Sequence, residues 1–147
     1  MNYKQFVDKY NGRYLDQDGF PKDNPYQCVD LMRQYCKEVL GVSGYTAIPP
    51  TGTAKNIFLN FKDNKYFKKV LNGPTNIPKQ GDLIFWGTYP FVTGWAGHVA
   101  LFDSGDLYTV LAFGQNYPTG QPCKFTKYGR SKILHGYRGI LGWLTPR

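Results

Sequence analysis

The 147-residue chain has no run of about 18 apolar residues, which excludes a helical membrane span. Its first ten residues, "MNYKQFVDKY", lack the apolar core of a secretory leader, so no signal peptide is expected. Cysteine is scarce and odd in number: Cys28, Cys36 and Cys123. Cys28 and Cys36 fall on one predicted helix, about 12 Å apart at about 1.5 Å per residue, too far to bridge. Reduced thiols are therefore expected, with Cys36 as plain core. Histidine is scarcer still, since only His98 and His135 are present, so imidazole chemistry has two candidates. Acidic residues number 10 against 18 basic ones, a formal net charge of +8. That excess attracts polyanions, whether nucleic acid, anionic membrane or anionic cell wall, and it serves solubility equally well. Internal repeats and low-complexity linkers are also missing, which leaves one domain over residues 1–147.

What the chain does contain suits a turn-rich fold: 17% aromatic residues, 17 Gly and 10 Pro. "YKQFVDKYNG" predicts a short first helix closed at Gly12. Residues 13–23 form a polar loop. In "DNPYQCVDLMRQYC", Asn24 is a good N-cap and Pro25 suits the first helical position. Val29, Leu31, Met32, Tyr35, Cys36, Val39 and Leu40 then give an apolar stripe at helical spacing, and Gly41 supplies the stop. A third helix is predicted from about Thr53 to Phe61. Beyond it the pattern turns to strands, "GDLIFWG", "GHVALFD", "DLYTVLAFG" and "GYRGILGWL", with "DSGD" as the hairpin turn between the second and third. Helices first and an antiparallel sheet second make an α+β order, in which the Cys28 helix packs across the sheet.

Cys28 sits in the first turn of its helix, where unpaired N–H groups and the positive end of the helix dipole favour a thiolate. It is a candidate nucleophile; the competing reading is a small buried hydrophobe. A thiol nucleophile needs a base. His98 opens the strand "GHVALF", with Ala100 and Phe102 on its face and Val99 and Leu101 on the other, after the small residues of "WAGH". A cysteine at a helix start and a histidine at a strand start can meet as nucleophile and base. A third group should orient the imidazole, and the next strand ends in Gln115 and Asn116, of which Asn116 is preferred. A two-residue turn at Ser104-Gly105 would set His98 opposite Leu111, so a longer loop or a bulge is required.

"YQCVDL", "PKQGDLIFWG", "GHVALF" and "GQNY", in this order and spacing, resemble a CHAP domain, a cysteine, histidine-dependent amidohydrolase/peptidase of the papain-like NlpC/P60 superfamily. The resemblance runs from about residue 3 to 144 and is strongest to the catalytic domains of bacteriophage endolysins. It implies a papain-like fold and a peptidoglycan hydrolase, a cysteine-dependent amidase or endopeptidase, with Cys28 as nucleophile, His98 as base and Asn116 as orienting residue. Many such domains carry a Glu two residues before this Asn, where this chain has Gly114. "DQDGF" resembles the calcium loop of some of these domains, which implies Ca²⁺ held by Asp16, Asp18, the Phe20 carbonyl and Asp30, with Asp23 as an alternative ligand. Hard oxygens of this kind suit Ca²⁺, and an Asp-Gly turn with solvated carboxylates is the competing reading. No organic cofactor is expected.

On this reading Gln27 can lend a donor to the oxyanion, and Trp86, Tyr89, Phe91, Trp95 and Tyr117 can line an aromatic groove for glycan and stem peptide. The expected partner is anionic peptidoglycan, with no nucleic acid and no membrane insertion, engaged by a monomer. A phage-encoded enzyme of this type would be made in the host cytoplasm and act on the wall after release. The alternative is a non-catalytic basic module that binds cell wall or another polyanion.

Overall fold

The computed structural model describes residues 1–16, 27–87, 95–117, 119–129 and 139–147. Helix α1 (Tyr3–Tyr10) starts on a reciprocal cap: Asn2 Oδ1 accepts the Gln5 N–H at 2.9 Å, and Gln5 Oε1 accepts the Asn2 N–H at 2.9 Å. Its buried residues are Phe6, Val7 and Tyr10. Helix α2 (Cys28–Tyr35) continues through a π-helical turn, Cys36–Leu40, and stops where Gly41 takes the left-handed conformation at φ 72°. That is the stop the sequence predicts. The start differs. Gln27 is extended at φ −95°, ψ 162° and is the N-cap, so Cys28 is the first helical residue and the helix does not begin at Pro25. Asn24 and Pro25 lie outside the described residues. Short α3 (Gly44–Ala47) follows, then α4 (Ala54–Asn60), capped by Thr53 and close to the span predicted from about Thr53 to Phe61.

Six strands form one sheet in the order β1-β6-β2-β3-β4-β5, with every neighbouring pair antiparallel. They are β1 (Phe67–Leu71), β2 (Leu83–Trp86), β3 (His98–Gly105), β4 (Thr109–Gly114), β5 (Lys124–Gly129) and β6 (Ile140–Pro146). Alternation divides the side chains between two faces. Leu83, Phe85, Val99, Leu101, Phe113 and Leu144 join Leu31, Met32, Ile57 and Phe58 from the helices in the main core. Ile84, Trp86, Ala100, Phe102, Ala112, Tyr128 and Trp143 form a second cluster on the other face. Helix α2 packs on β3 and α4 on β2. The result is the α+β architecture read from the sequence, helices on an antiparallel sheet.

The β3–β4 hairpin corrects the sequence reading. β3 runs on to Gly105, and the turn falls at Asp106–Thr109, where the Asp106 N–H meets the Thr109 carbonyl at 3.0 Å and Asp106 Oδ1 accepts the Tyr108 and Thr109 N–H groups. "DSGD" is therefore mostly strand. The register skips Asp103, pairing Phe102 with Ala112 and Ser104 with Leu111, so the required bulge exists. Asp103 Oδ1 accepts the Tyr3 hydroxyl proton at 2.9 Å, which ties α1 to the bulge. Strands β1 and β5 were not read from the sequence. Among the described residues no helix is long and apolar enough to cross a membrane.

Candidate active site

The start of α2 is braced from β4. Asp30 Oδ2 accepts the Gln27 N–H at 2.9 Å, and the Asp30 N–H donates to the Gln27 carbonyl at 3.1 Å, closing the first turn around Cys28. Gln115, fully buried at the end of β4, donates from Nε2 to the Leu15 and Gln27 carbonyls, both at 2.8 Å. Its Oε1 accepts the Leu15 N–H at 2.6 Å and the Cys123 thiol at 3.4 Å. One amide therefore joins Gln27, the residue before Cys28, to Leu15 and to Cys123, which leads into β5. Sequence reasoning weighed Gln115 only as a rival to Asn116 and missed this role. The available signal was a glutamine flanked by Gly114 and Asn116 at a strand end, and it becomes legible only once burial is known.

Asn116 lies in the left-handed region at φ 65°, a conformation Asn tolerates better than most residues. Its Nδ2 donates to Gln27 Oε1 at 3.0 Å, and its Oδ1 accepts the Gly120 N–H at 2.7 Å. The bulge does bring Asn116 to the His98 end of the hairpin, but these bonds serve Gln27 and the following turn. Among the described residues His98 Nε2 is buried without a hydrogen-bond partner.

The Cys28 sulfur meets the backbone N–H groups of Val99, Val29 and Cys28 itself. Val99 follows His98 on β3, so the sulfur is seated beside the strand start that carries the imidazole. The helix-start donors anticipated from sequence are present and lower the thiol pKa, but burial outweighs them and Asp30 opposes them, leaving Cys28 raised to about 11. His98, 4% exposed, is lowered to about 4 by burial alone. Both groups therefore rest uncharged at neutral pH, as thiol and imidazole. The thiolate expected from helix position alone is not the resting species.

His98 pairs with Trp86 across β2 and β3, and Gly97 makes that geometry possible. Gly97 has φ 75°, and a Cβ there would stand 2.4 Å from the Trp86 carbonyl oxygen. The small residues of "WAGH" thus serve backbone approach. A Cβ on Gly114 would lie 3.3 Å from His98 Nε2, so this position abuts the outer imidazole nitrogen.

The remaining predicted residues separate. Trp86 is fully buried and leaves the groove set, because a ring with no exposed surface cannot touch substrate. Trp95 is 79% exposed and Tyr117 half-buried. Tyr89, Phe91 and His135 lie outside the described residues, as do Asp18, Phe20 and Asp23. Of the calcium set, Asp16 is exposed and Asp30 is buried. Among the described residues no group of three or more His, Cys, Asp or Glu side chains could hold a metal. Cys36 and Cys123 are buried free thiols, pushed up to about 12 by burial.

No protein-family model and no curated protein matches the chain. Among solved structures, the crystal structure of the wild-type endolysin LysIME-EF1 is similar with a TM-score of 0.72 at 18% identity, covering 99% of this chain and 64% of that one. The crystal structure of Ly7917 is similar with a TM-score of 0.66 at 18% identity, covering 99% and 61%. The chain thus spans less than two thirds of the length of each. At this identity the likeness establishes the fold, which is endolysin-like.

Proposed function

We propose that this protein is a peptidoglycan hydrolase of the CHAP endolysin type, cleaving an amide or peptide bond of the bacterial cell wall with the Cys28 thiol and the His98 imidazole. The observation that carries the reading is the seat of the sulfur: it opens α2 and takes the Val99 N–H, one residue along β3 from His98. The fold shared with the endolysin LysIME-EF1 supports the same substrate class.

The steps follow from the groups present. His98 Nδ1 is the base, since Nε2 is aimed at Gly114. It takes the thiol proton as sulfur forms a bond to the substrate carbonyl carbon. Both partners start uncharged, so the proton moves during attack and no preformed ion pair is needed. The Cys28 N–H and the Gln27 amide nitrogen are the donors for the oxyanion, the Gln27 oxygen being held by Asn116. Asn116 thus acts as a positioning residue on the oxyanion side. Collapse breaks the C–N bond, and the amine leaves with the proton from His98. Water, deprotonated by His98, then breaks the C–S bond and restores the thiol. Trp95 and Tyr117 remain the described aromatic candidates for contact with glycan or stem peptide.

Calcium belongs to the same proposal. Asp16, Asp18, the Phe20 carbonyl and Asp30 would hold it, a set of hard oxygens. Fit is supported by Gln115, whose one amide nitrogen ties Leu15, beside Asp16, to Gln27, in the turn that carries Asp30. When bound, the ion would neutralise like charges next to the nucleophile's helix. At about 100 times Kd it should add about 2.7 kcal/mol of stability, read as a higher Tm in calcium than in chelator. Asp16→Ala with Asp18→Ala should erase that difference; equal melting of wild type in both buffers would remove the ion from the proposal.

The deciding experiment is mass analysis of fragments released from purified peptidoglycan by wild type, Cys28→Ala and His98→Ala. Wild type should release fragments that identify the bond, and the folded variants should release none. Clearing by Cys28→Ala at the wild-type rate would overturn the mechanism, and absence of fragments from wild type would leave a basic wall-binding module.

A further inference from the structure

His98 is one member of a closed cycle of four rings. Its imidazole centroid lies 5.4 Å from Trp86 at 45° and 5.3 Å from Tyr117 at 42°. Tyr117 lies 5.4 Å from Tyr128 at 31°, and Tyr128 lies 4.5 Å from Trp86 at 36°, which closes the cycle. All four separations fall within the range of favourable aromatic pairs, about 4.5–7 Å. The members come from β2, β3, the turn after β4 and β5, so the cycle forms only when the sheet order is complete.

The polar atoms of this cycle point to packing as what holds it. Among the described residues, Trp86 Nε1 and His98 Nε2 are both buried without a hydrogen-bond partner. Nε2 faces Gly114, which has no side chain to offer it. An imidazole with an unbonded outer nitrogen can rotate about its terminal torsion unless its faces are blocked. Here Trp86 and Tyr117 flank it, and Tyr128 backs both.

We infer that Trp86, Tyr117 and Tyr128 are the positioning residues of His98, holding the imidazole by ring packing where a polar third residue would otherwise act. The inference rests on His98 as the base. Among the described residues no charged side chain acts on the imidazole, whose displaced titration comes from burial alone; the titratable side chain packed against it is Tyr117, with Tyr128 one ring further out and the Cys28 thiol held at the Val99 N–H. Opening the cycle should therefore both misalign the ring and wet it.

Tyr128 is the residue to test, because it is buried, lies one ring removed from the imidazole and touches no substrate. Kinetics on purified peptidoglycan would be measured for wild type, His98→Ala, Tyr128→Phe and Tyr128→Leu, each checked for folding by circular dichroism. His98→Ala should abolish release. Tyr128→Leu should lower kcat by about tenfold with KM little changed, the signature of lost orientation. Its acid limb of activity should also move up toward the ordinary histidine value. Tyr128→Phe, which keeps the ring, should recover most of the loss and the wild-type acid limb. A folded Tyr128→Leu with unchanged kcat and acid limb would overturn the inference, as would Tyr128→Phe impaired as deeply as Tyr128→Leu. Release by His98→Ala at the wild-type rate would instead overturn the assignment of the base.

Discussion

Three backbone N–H groups meet the Cys28 sulfur, and at an open helix start they would favour the thiolate; enclosure against β3 reverses the balance. The same enclosure keeps His98 neutral, and the pair leaves a signature in stability. The folded imidazole titrates at about 4 against an ordinary 6.5, so between those values the unfolded chain binds a proton that the folded chain refuses. Stability should fall by about 3 kcal/mol as pH drops through that window. At the alkaline side Cys28, raised from 9.0 to about 11, makes the unfolded chain ionise first, and stability should fall as pH rises between them. Urea midpoints for wild type and His98→Gln across the acid window check this; the variant should lose markedly less. Gly114 gives a second prediction. Its backbone is unstrained for a side chain, and a Cβ would sit 3.3 Å from Nε2 and 3.0 Å from the Ala100 Cβ, tight but open to small adjustment. Gly114→Asp should set a carboxylate on Nε2 and raise the His98 pKa, moving the acid limb of activity upward, whereas Gly114→Ala should leave it in place. The sequence pointed to both candidate residues because a cysteine at a helix start and a histidine at a strand start follow from local pattern. It could not give their charge state, which depends on what the fold packs around them.

At the scale of elements, the start of α2 is held by side chains far away in sequence. Helix spacing, the helix predicted from about Thr53 and the Gly41 stop were legible because each follows a local rule. The cap of α2 was misread because Asn-Pro is a strong local signal, while the observed start depends on Asp30 closing back on Gln27 and on Gln115 holding the Gln27 carbonyl. The hydrogen bonds of Asn116 were not anticipated for a related reason. The bulge at Asp103 was foreseen as a necessity, but the left-handed turn at Asn116 that sends its amide to Gln27 was not. Gln115→Leu should be among the costliest single changes in the chain. It would leave the Leu15 N–H and carbonyl and the Gln27 carbonyl without their partner, at about 1–3 kcal/mol per buried group. We expect a loss above about 2 kcal/mol in denaturant melts, with slower Cys28 alkylation or lysis in whatever remains folded.

On the scale of the whole molecule, the basic excess has a structural address. Of the two Lys-rich segments, "NFKDNKYFKK" runs into β1 and "CKFTKYGRSK" contains β5, and these strands are the two edges of the sheet. Lysines on an edge strand discourage pairing with another chain, so part of the +8 charge guards open edges. Lys69 does a further task, donating to the Phe58 carbonyl at 2.6 Å and the Phe61 carbonyl at 3.2 Å at the end of α4. The same lysines hid both strands from sequence reading, because they broke the apolar runs that mark interior strands. Edge position also bears on how the molecule fails. β5 pairs on one side only, and just before it Cys123 bonds Gln115 while its backbone pairs with Gly12 and Arg13. The brace at Cys28 therefore hangs from the margin of the sheet that has least to lose by opening. On warming, that margin should fray first, loosening Leu15 and Gln27 while the helices and central strands stay intact. Lytic activity should then be lost several degrees below the global melt and return on cooling, in step with fast amide exchange in β5; activity that persists to the global Tm would mean the margin is as firm as the middle.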